Sequence, residues 1–376
     1  MGMNVPAEAR VDLEAIAGNV GLLRERARGA EVMAMVKAEA YGHGLAEAAG
    51  AALAGGASWL GVAKLVEALR LRDAGFTVRT LVSVGVPGEP YEEAVARDVD
   101  LTVGALWLLE EVVQAAERAG RAARIHLKAD TGMSRGGVRG RDWEELVDAA
   151  LKAEASGRVH VVGAMSHFAC ADEPGHPSIA AQVGAFTEMV AYAEKAGARF
   201  EVRHLANSAG ALTVPEARFD LVRPGIAMYG LTPIPALGTF GLRPAMTLVA
   251  DAALVKRVPG GSGVSYGHTY HTDRETTLAV VPVGYGDGIP RHGSNLLQVL
   301  AGGARRTIAG RVCMDQFVID LGDDQLAAGD EIILFGPGDR GEPTAQEWAD
   351  ALGTISYEIV TRIGSRVPRA YPGGAL

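Results

Sequence analysis

Cysteine is nearly absent from this chain: Cys170 and Cys313 are the only two in 376 residues. Two thiols build no disulfide framework, and neither lies in a CxxC pair or a Cys/His cluster with zinc spacing. A reducing, cytoplasmic setting is therefore expected, and no metal. Positive charge is also scarce, since 36 basic residues face 45 acidic ones for a net charge of −9. That balance argues against wrapping nucleic acid or lying on an anionic membrane, and points to a small-molecule substrate. No stretch reaches the roughly 20 apolar residues of a membrane span. Glu8, Arg10, Asp12 and Glu14 interrupt the first twenty residues, so no signal-peptide core is present and neither export nor anchoring is expected.

What the chain does contain is enough apolar surface to fold. Apolar residues make up 48 % and charged residues 22 %, a globular balance, and the length predicts two or three domains. From residue 30 to about 230, β-rich runs begin near Met33, Trp59, Thr80, Asp100, Arg124, His160, Glu201 and Leu221. Helix-compatible stretches such as Tyr91 to Arg97, Ala105 to Ala119 and Ile179 to Ala196 separate most of them. Eight βα units close a (β/α)8 TIM barrel; a doubly wound sheet is the alternative, but no GxGxxG follows the first run. Between Leu231 and Met246, Pro233, Pro235, Gly238, Gly241 and Pro244 mark a linker.

Beyond the linker, the runs Thr247 to Val258, Thr276 to Val283, Leu296 to Leu300, Thr307 to Val312, Gln316 to Asp320 and Glu331 to Phe335 predict an all-β second domain. One helix interrupts it, with a Thr344/Glu347 capping box before Trp348 to Leu352 and Gly353 behind. The expected organisation is α/β plus all-β: a barrel over 11–240 and a C-terminal β-rich domain over 241–376, joined by residues 1–10. His268 and His271 near Asp273 read as a solvated turn, and Gly261, Gly263 and Gly267 as turn glycines.

In a barrel, chemistry gathers where strands end. Alternation puts Met33, Met35 and Lys37 on one face, so the first run ends in an amine among apolar neighbours. Partial desolvation lowers such an amine's pKa and frees it as a Schiff-base former or general base, unless it snorkels out to water. Tyr41-Gly42-His43-Gly44 opens a helix whose backbone N–H groups and phenol suit a phosphate. Lys128 through Arg135 follow the fifth run, His167 the sixth and Asn207-Ser208 the seventh, while Arg223-Pro224-Gly225-Ile226 lie in the eighth.

This set resembles the alanine racemases, fold-type III enzymes that use pyridoxal 5'-phosphate (PLP). The matching stretches are Val36 to Gly44, Lys128 to Arg135, Ser166-His167-Phe168, Arg223-Pro224-Gly225, Val264 to Gly267, Gly284 to Gly288 and Gly310 to Gln316, in the family's order. Glu39 stands where the family commonly has Asn, and Ser134 where it has Gly.

The resemblance implies interconversion of L- and D-alanine, supplying D-alanine for peptidoglycan, with Lys37 linked to PLP and Lys37 and Tyr266 as the two bases. It places Tyr41, Ser208, Gly225, Ile226 and Tyr357 at the cofactor phosphate, Arg223 at the pyridine nitrogen, His167 at the cofactor and, with Arg223, beside the Tyr266 phenol to lower its pKa, and Arg135 and Met314 at the substrate carboxylate. Lys128 matches a lysine that is carbamylated in some members. Asp172, Arg291, Arg311 and Ile355, with the tyrosines Tyr266, Tyr285 and Tyr357, match an access corridor that favours a methyl side chain. A head-to-tail homodimer with shared sites is implied. The alternatives are a broader-specificity (serine) racemase, a decarboxylase of related fold, which Arg223 disfavours, and a non-catalytic PLP-binding regulator, which would lack the domain bearing Tyr266.

Overall fold

A computed structural model describes residues 6–373. Eight parallel strands form one sheet: β2 (Glu31–Met35), β3 (Trp59–Val62), β4 (Arg79–Val82), β5 (Asp100–Val103), β6 (Ala123–Lys128), β7 (Val159–Met165), β8 (Val202–His204) and β9 (Leu221–Val222). Their order is β8-β7-β6-β5-β4-β3-β2-β9. Backbone bonds from Asp220 N to Arg203 O (3.1 Å) and from Arg223 N to Ala206 O (2.9 Å) tie the two ends together. The sheet is thus a closed barrel, and the open doubly wound alternative falls.

Amphipathic helices wrap the barrel for the reason their sequences suggest. In Leu106–Ala119, Leu108, Leu109, Val112, Ala115 and Ala116 share the buried stripe, and Gly120 ends the helix at φ 66°, where a side chain would be strained. Between the strands and the helices lies a packed core, in which each fully buried aliphatic side chain such as Leu60 contributes about 1.5–3 kcal/mol.

The remaining strands make a β-rich body. They are β1 (Ala7–Val11), β10 (Met246–Asp251), β11 (Leu254–Val258), β12 (Gly263–Val264), β13 (Tyr270–His271), β14 (Thr276–Val281), β15 (Gln298–Ala301), β16 (Ala304–Thr307), β17 (Phe317–Gly322), β18 (Glu331–Phe335) and β19 (Arg369–Ala370). One sheet runs β16-β15-β18-β10-β1-β19 and another β11-β14-β17, so the N-terminal strand β1 pairs antiparallel with β10. The helix Ala345–Leu352 carries the expected capping box and ends at Gly353 in the left-handed region.

Two expected runs need correction. Thr247 to Val258 is two strands, because the chain turns at Ala252-Ala253 and Ala253 N bonds Val280 O, moving the backbone into the second sheet. The run placed at Thr307 to Val312 lies earlier, at Ala304–Thr307, where Arg305 and Arg306 occupy a sheet edge. Charged residues belong on such an edge, and enrichment in Val, Ile and Thr misses them.

Candidate active site

The carboxyl ends of the barrel strands surround a cavity of about 870 Å³. Ten of the residues singled out in the sequence line it: Lys37, Tyr41, Lys128, Arg135, His167, Ser208, Arg223, Gly225, Ile226 and Tyr357. Met33, Met35, Leu81 and Met165 form its apolar floor and walls, the alternation expected around Lys37.

Lys37 is reached by an unusual path. After β2, the residues Ala38, Glu39, Ala40 and Tyr41 all adopt φ between 53° and 55°, a left-handed turn costing about 1–2 kcal/mol per L-residue. Contacts from outside the turn offset that strain. His43 is fully buried, and its Nδ1 lies 3.1 Å from Ala40 O and 3.0 Å from Tyr41 O, so Nδ1–H donates to both. Burial pushes the imidazole down to about 4, which keeps it neutral. It stacks on Tyr229 at 4.4 Å, and Tyr229 donates its phenol proton to Met35 O (2.9 Å). The turn thereby aims Lys37 and Tyr41 into one space, with the amine 5.9 Å from the Tyr41 ring centre. Of Tyr41-Gly42-His43-Gly44, only Tyr41 lines the cavity. The helix beginning at Leu45 starts instead against Tyr371, whose hydroxyl crowds Gly44, so its N–H groups do not serve the site as expected.

The site is strongly cationic. Burial lowers the Lys37 amine, and Arg135 and Arg223 lower it further, against the opposing pull of Glu67. Lys128 is brought down to about 8 by burial and by Arg135, Arg223 and Lys37. His167 is held near 3 by burial and the same cations, so it is a neutral ring at pH 7. Asp130 pulls Lys128 the other way, and its carboxylate accepts from the N–H groups of Gly132, Met133 and Ser134 and shapes the loop that carries Arg135.

Arg223 is buried and pushed down to about 10 by desolvation, still a cation at neutral pH. Its Nη2 reaches Ser166 O (2.6 Å), Leu205 O (3.2 Å) and His167 Nδ1 (3.2 Å), and its Nη1 reaches His204 Nδ1 (3.0 Å). The polarity continues inward. His204 Nε2 lies 2.9 Å from His126 Nδ1, and His126 Nε2 lies 3.2 Å from Asp100 Oδ2. Since a guanidinium only donates and a carboxylate only accepts, both rings carry their proton on Nε2. Burial alone would raise Asp100, but His126, Arg124 and Arg79 hold it at about 2. Sequence reasoning missed this line of groups. Alternation would have found part of it, since His126 and Lys128 share one face of β6 and Asp100 and Thr102 one face of β5.

Neutral donors collect where Ser208 and Gly225 line the cavity. Ser208 Oγ accepts from Gly225 N (2.8 Å) and Ala227 N (3.3 Å), which leaves its own proton available to a ligand. A Cβ on Gly225 would lie 2.8 Å from Tyr41 Cζ, so only glycine lets this backbone approach the phenol. Tyr357, from the helix Ser356–Thr361, closes that side 6.1 Å from Tyr41.

Seven expected residues lie outside the cavity. Tyr266 is 72 % exposed and Met314 53 %, and Tyr285 and Ile355 are exposed as well. Tyr266, Tyr285, Arg291, Arg311 and Met314 share one face of the β-rich body: Ser265 Oγ donates to Arg311 O, Tyr285 N to Cys313 O and Val312 N to Ser294 Oγ. Asp172 and Ile355 lie instead at the barrel mouth, near Tyr357. Within one chain, the two sets do not meet.

A closed parallel barrel with a desolvated lysine, a buried guanidinium and a cradle of hydroxyl and backbone donors at its mouth defines an enzyme that works through an amine and holds an anionic group. A sequence model described as alanine racemase, N-terminal domain, matches residues 11–233, and one described as alanine racemase, C-terminal domain, matches residues 245–371. The chain belongs to the alanine racemase family, whose members are PLP-dependent isomerases. It is 60 % identical over 367 residues to an alanine racemase of Thermobifida fusca, covering 98 % of each chain. The structure of alanine racemase from Streptomyces coelicolor superposes with a TM-score of 0.97 at 60 % identity, over 98 % of each chain. That from a D-cycloserine-producing Streptomyces lavendulae gives 0.98 at 56 %, over 99 % of this chain and 98 % of the other. No helix among the described residues is long and apolar enough to cross a membrane.

Proposed function

We propose that this protein interconverts L- and D-alanine with PLP held in the barrel cavity, each active site being completed by a second copy of the chain. The carrying observation is the pairing of a desolvated Lys37 with a buried, protonated Arg223 across a cavity that also holds the Ser208–Gly225 cradle.

The donor set fits the cofactor. Lys37 would hold it covalently, and Tyr41, Ser208, Gly225, Ile226 and Tyr357 would hold its phosphate through neutral donors. Arg223 would face the pyridine nitrogen, since Nη1 and Nη2 are engaged while Nε–H has no protein partner among the described residues. Linked to the amino acid, PLP withdraws electrons from Cα and so acidifies its proton.

The protein's own groups then decide the outcome. Arg223 donates a hydrogen bond but gives up no proton, which limits delocalisation into the ring and keeps Cα the favoured site of reprotonation. Lys37, lowered by burial and its cationic neighbours, moves a proton on one face of Cα. The partner subunit's Tyr266 serves the other face, with His167 presenting Nε2–H toward the cavity. Arg135 and the partner's Met314 N–H orient the carboxylate. The corridor residues Asp172, Tyr285, Arg291, Arg311 and Ile355, together with the tyrosines, restrict the side chain to a methyl, within the roughly 1–3 kcal/mol that one methylene allows.

Support for the dimer comes from exposure. Tyr266 and Met314 are open to solvent, and so are the apolar Val84, Val86 and Trp107 at the barrel rim; a copy docked over the rim would cover both sets. A carbamate on Lys128 suits its surroundings, because a carbamate forms on a neutral amine and Lys128 sits near 8 among Arg135, Arg223 and Lys37.

The test is to purify the protein, record the visible absorbance of lysine-linked PLP and assay conversion of L- to D-alanine. Wild type should show both and Lys37→Ala neither. Tyr266→Phe should keep the absorbance and lose α-proton exchange more from L- than from D-alanine. Wild type lacking both signals would overturn the proposal.

A further inference from the structure

We infer that Glu67 is a positioning residue for Lys37: its carboxylate anchors the first peptide of the left-handed turn that carries the lysine and supplies the acidic counterweight in a cationic site. The inference rests on the function proposed above and adds a residue to its machinery.

Glu67 lies in the first turn of the helix Leu65–Asp73, behind β3. An ordinary acidic residue there would cap its own helix. Glu67 does so with one oxygen, Oε2, which accepts from Ala63 N (3.0 Å) and Lys64 N (2.9 Å). Its other oxygen, Oε1, leaves the helix and accepts from Ala38 N at 2.6 Å. Ala38 follows Lys37 directly and is the first of the four residues held at positive φ. The carboxylate therefore spans two elements, fixing the peptide that joins Lys37 to its strained turn. A second link between the same elements is the Arg70–Glu39 pair, in which Arg70 Nη2 lies 3.1 Å from Glu39 Oε2. Glu39, where the family commonly has Asn, is thus engaged by the helix that carries Glu67.

Charge points the same way. The titratable groups that share the cavity with the Lys37 amine are Tyr41 from the turn, Lys128 and Arg135 at the end of β6 and beyond, His167 after β7, Arg223 after β9 and Tyr357 from the helix Ser356–Thr361. None is acidic. Glu67 opposes the effect of Arg135 and Arg223 on the amine.

Glu67→Gln keeps one oxygen for the helix cap but removes the charge and the second acceptor. Without the carboxylate, the protonated amine loses its stabilising partner, so Lys37 deprotonates at lower pH. In the holoenzyme, the acidic limb of kcat for D-alanine, where the substrate has freed Lys37 to act as the base, should move down by roughly half a pH unit. The limb for L-alanine, where Tyr266 is the base, should stay in place. Hydrogen exchange of the peptide spanning residues 36–44 should become faster, while Glu39→Gln, which breaks only the Arg70 pair, should leave the D-alanine limb unmoved.

An unmoved D-alanine limb in Glu67→Gln, equal shifts in both directions, or unchanged exchange in the turn would overturn the inference. A wild type that does not racemise alanine would overturn the functional proposal instead, and the exchange measurement would still judge the anchor.

Discussion

Replacing Asp100 by Asn tests whether the line of buried groups behind Arg223 is held by charge. Asp100 has no exposed surface, and its carboxylate meets Arg79 at 2.8 Å, Arg124 at 2.7 Å and His126 at 3.2 Å. Burial alone would raise its pKa, yet His126, Arg124 and Arg79 bring it from 3.8 to about 2. At about 1.4 kcal/mol per unit, that depression is roughly 2–3 kcal/mol of stability. The sign follows from the depression: the contribution is complete above the ordinary value of 3.8 and is lost as pH falls through about 2. Arg79 and Arg124 are partly exposed, so water can replace some lost contacts. Asp100→Asn should therefore cost about 2–4 kcal/mol, between the linkage figure and the full cost of breaking a buried pair. Urea unfolding of wild type and variant at pH 7 measures the gap, and repeating it at decreasing pH should narrow the gap as the wild-type carboxyl gains its proton. A loss below about 1 kcal/mol, or a gap that does not change with pH, would refute this reasoning.

Two further outcomes follow from the site. Gly225→Ala should displace the Tyr41 phenol, because the new Cβ would lie 2.8 Å from Tyr41 Cζ; PLP binding to the cofactor-stripped protein, followed by absorbance, should weaken by roughly tenfold or more, with thermal stability changed far less. A crystal structure at high resolution should show density beyond the Lys128 amine for a carbamate, whereas a plain ammonium would reject that modification.

Much of the fold was legible because the βα period repeats. All eight barrel strands begin within a few residues of their expected starts, and alternation correctly placed Met33, Met35 and Lys37 around one cavity. The β-rich body was less legible: the turn at Ala252-Ala253 has no glycine or proline to announce it, and the arginines of Ala304–Thr307 hide an edge strand. At the site, single residues at strand ends could be read, but relations between them could not. The oxygen of Glu67 that leaves its helix for Ala38 N is a contact across 29 positions, and no local pattern marks it. The four successive left-handed residues were likewise invisible, since none is a glycine. Tyr266 could be named but not located, because it stands on a face that does not meet the cavity within one chain.

The central claim is that Lys37 of one chain and Tyr266 of another make one active site. Mixing two inactive variants, Lys37→Ala and Tyr266→Phe, and allowing the subunits to exchange tests it directly. In a shared-site dimer, each mixed pair holds one intact site, the unaltered Lys37 facing the unaltered Tyr266. With random pairing, about a quarter of all sites are restored, so racemase activity should return to roughly that fraction of wild type. A mixture that exchanges subunits and remains as inactive as its components would contradict the account.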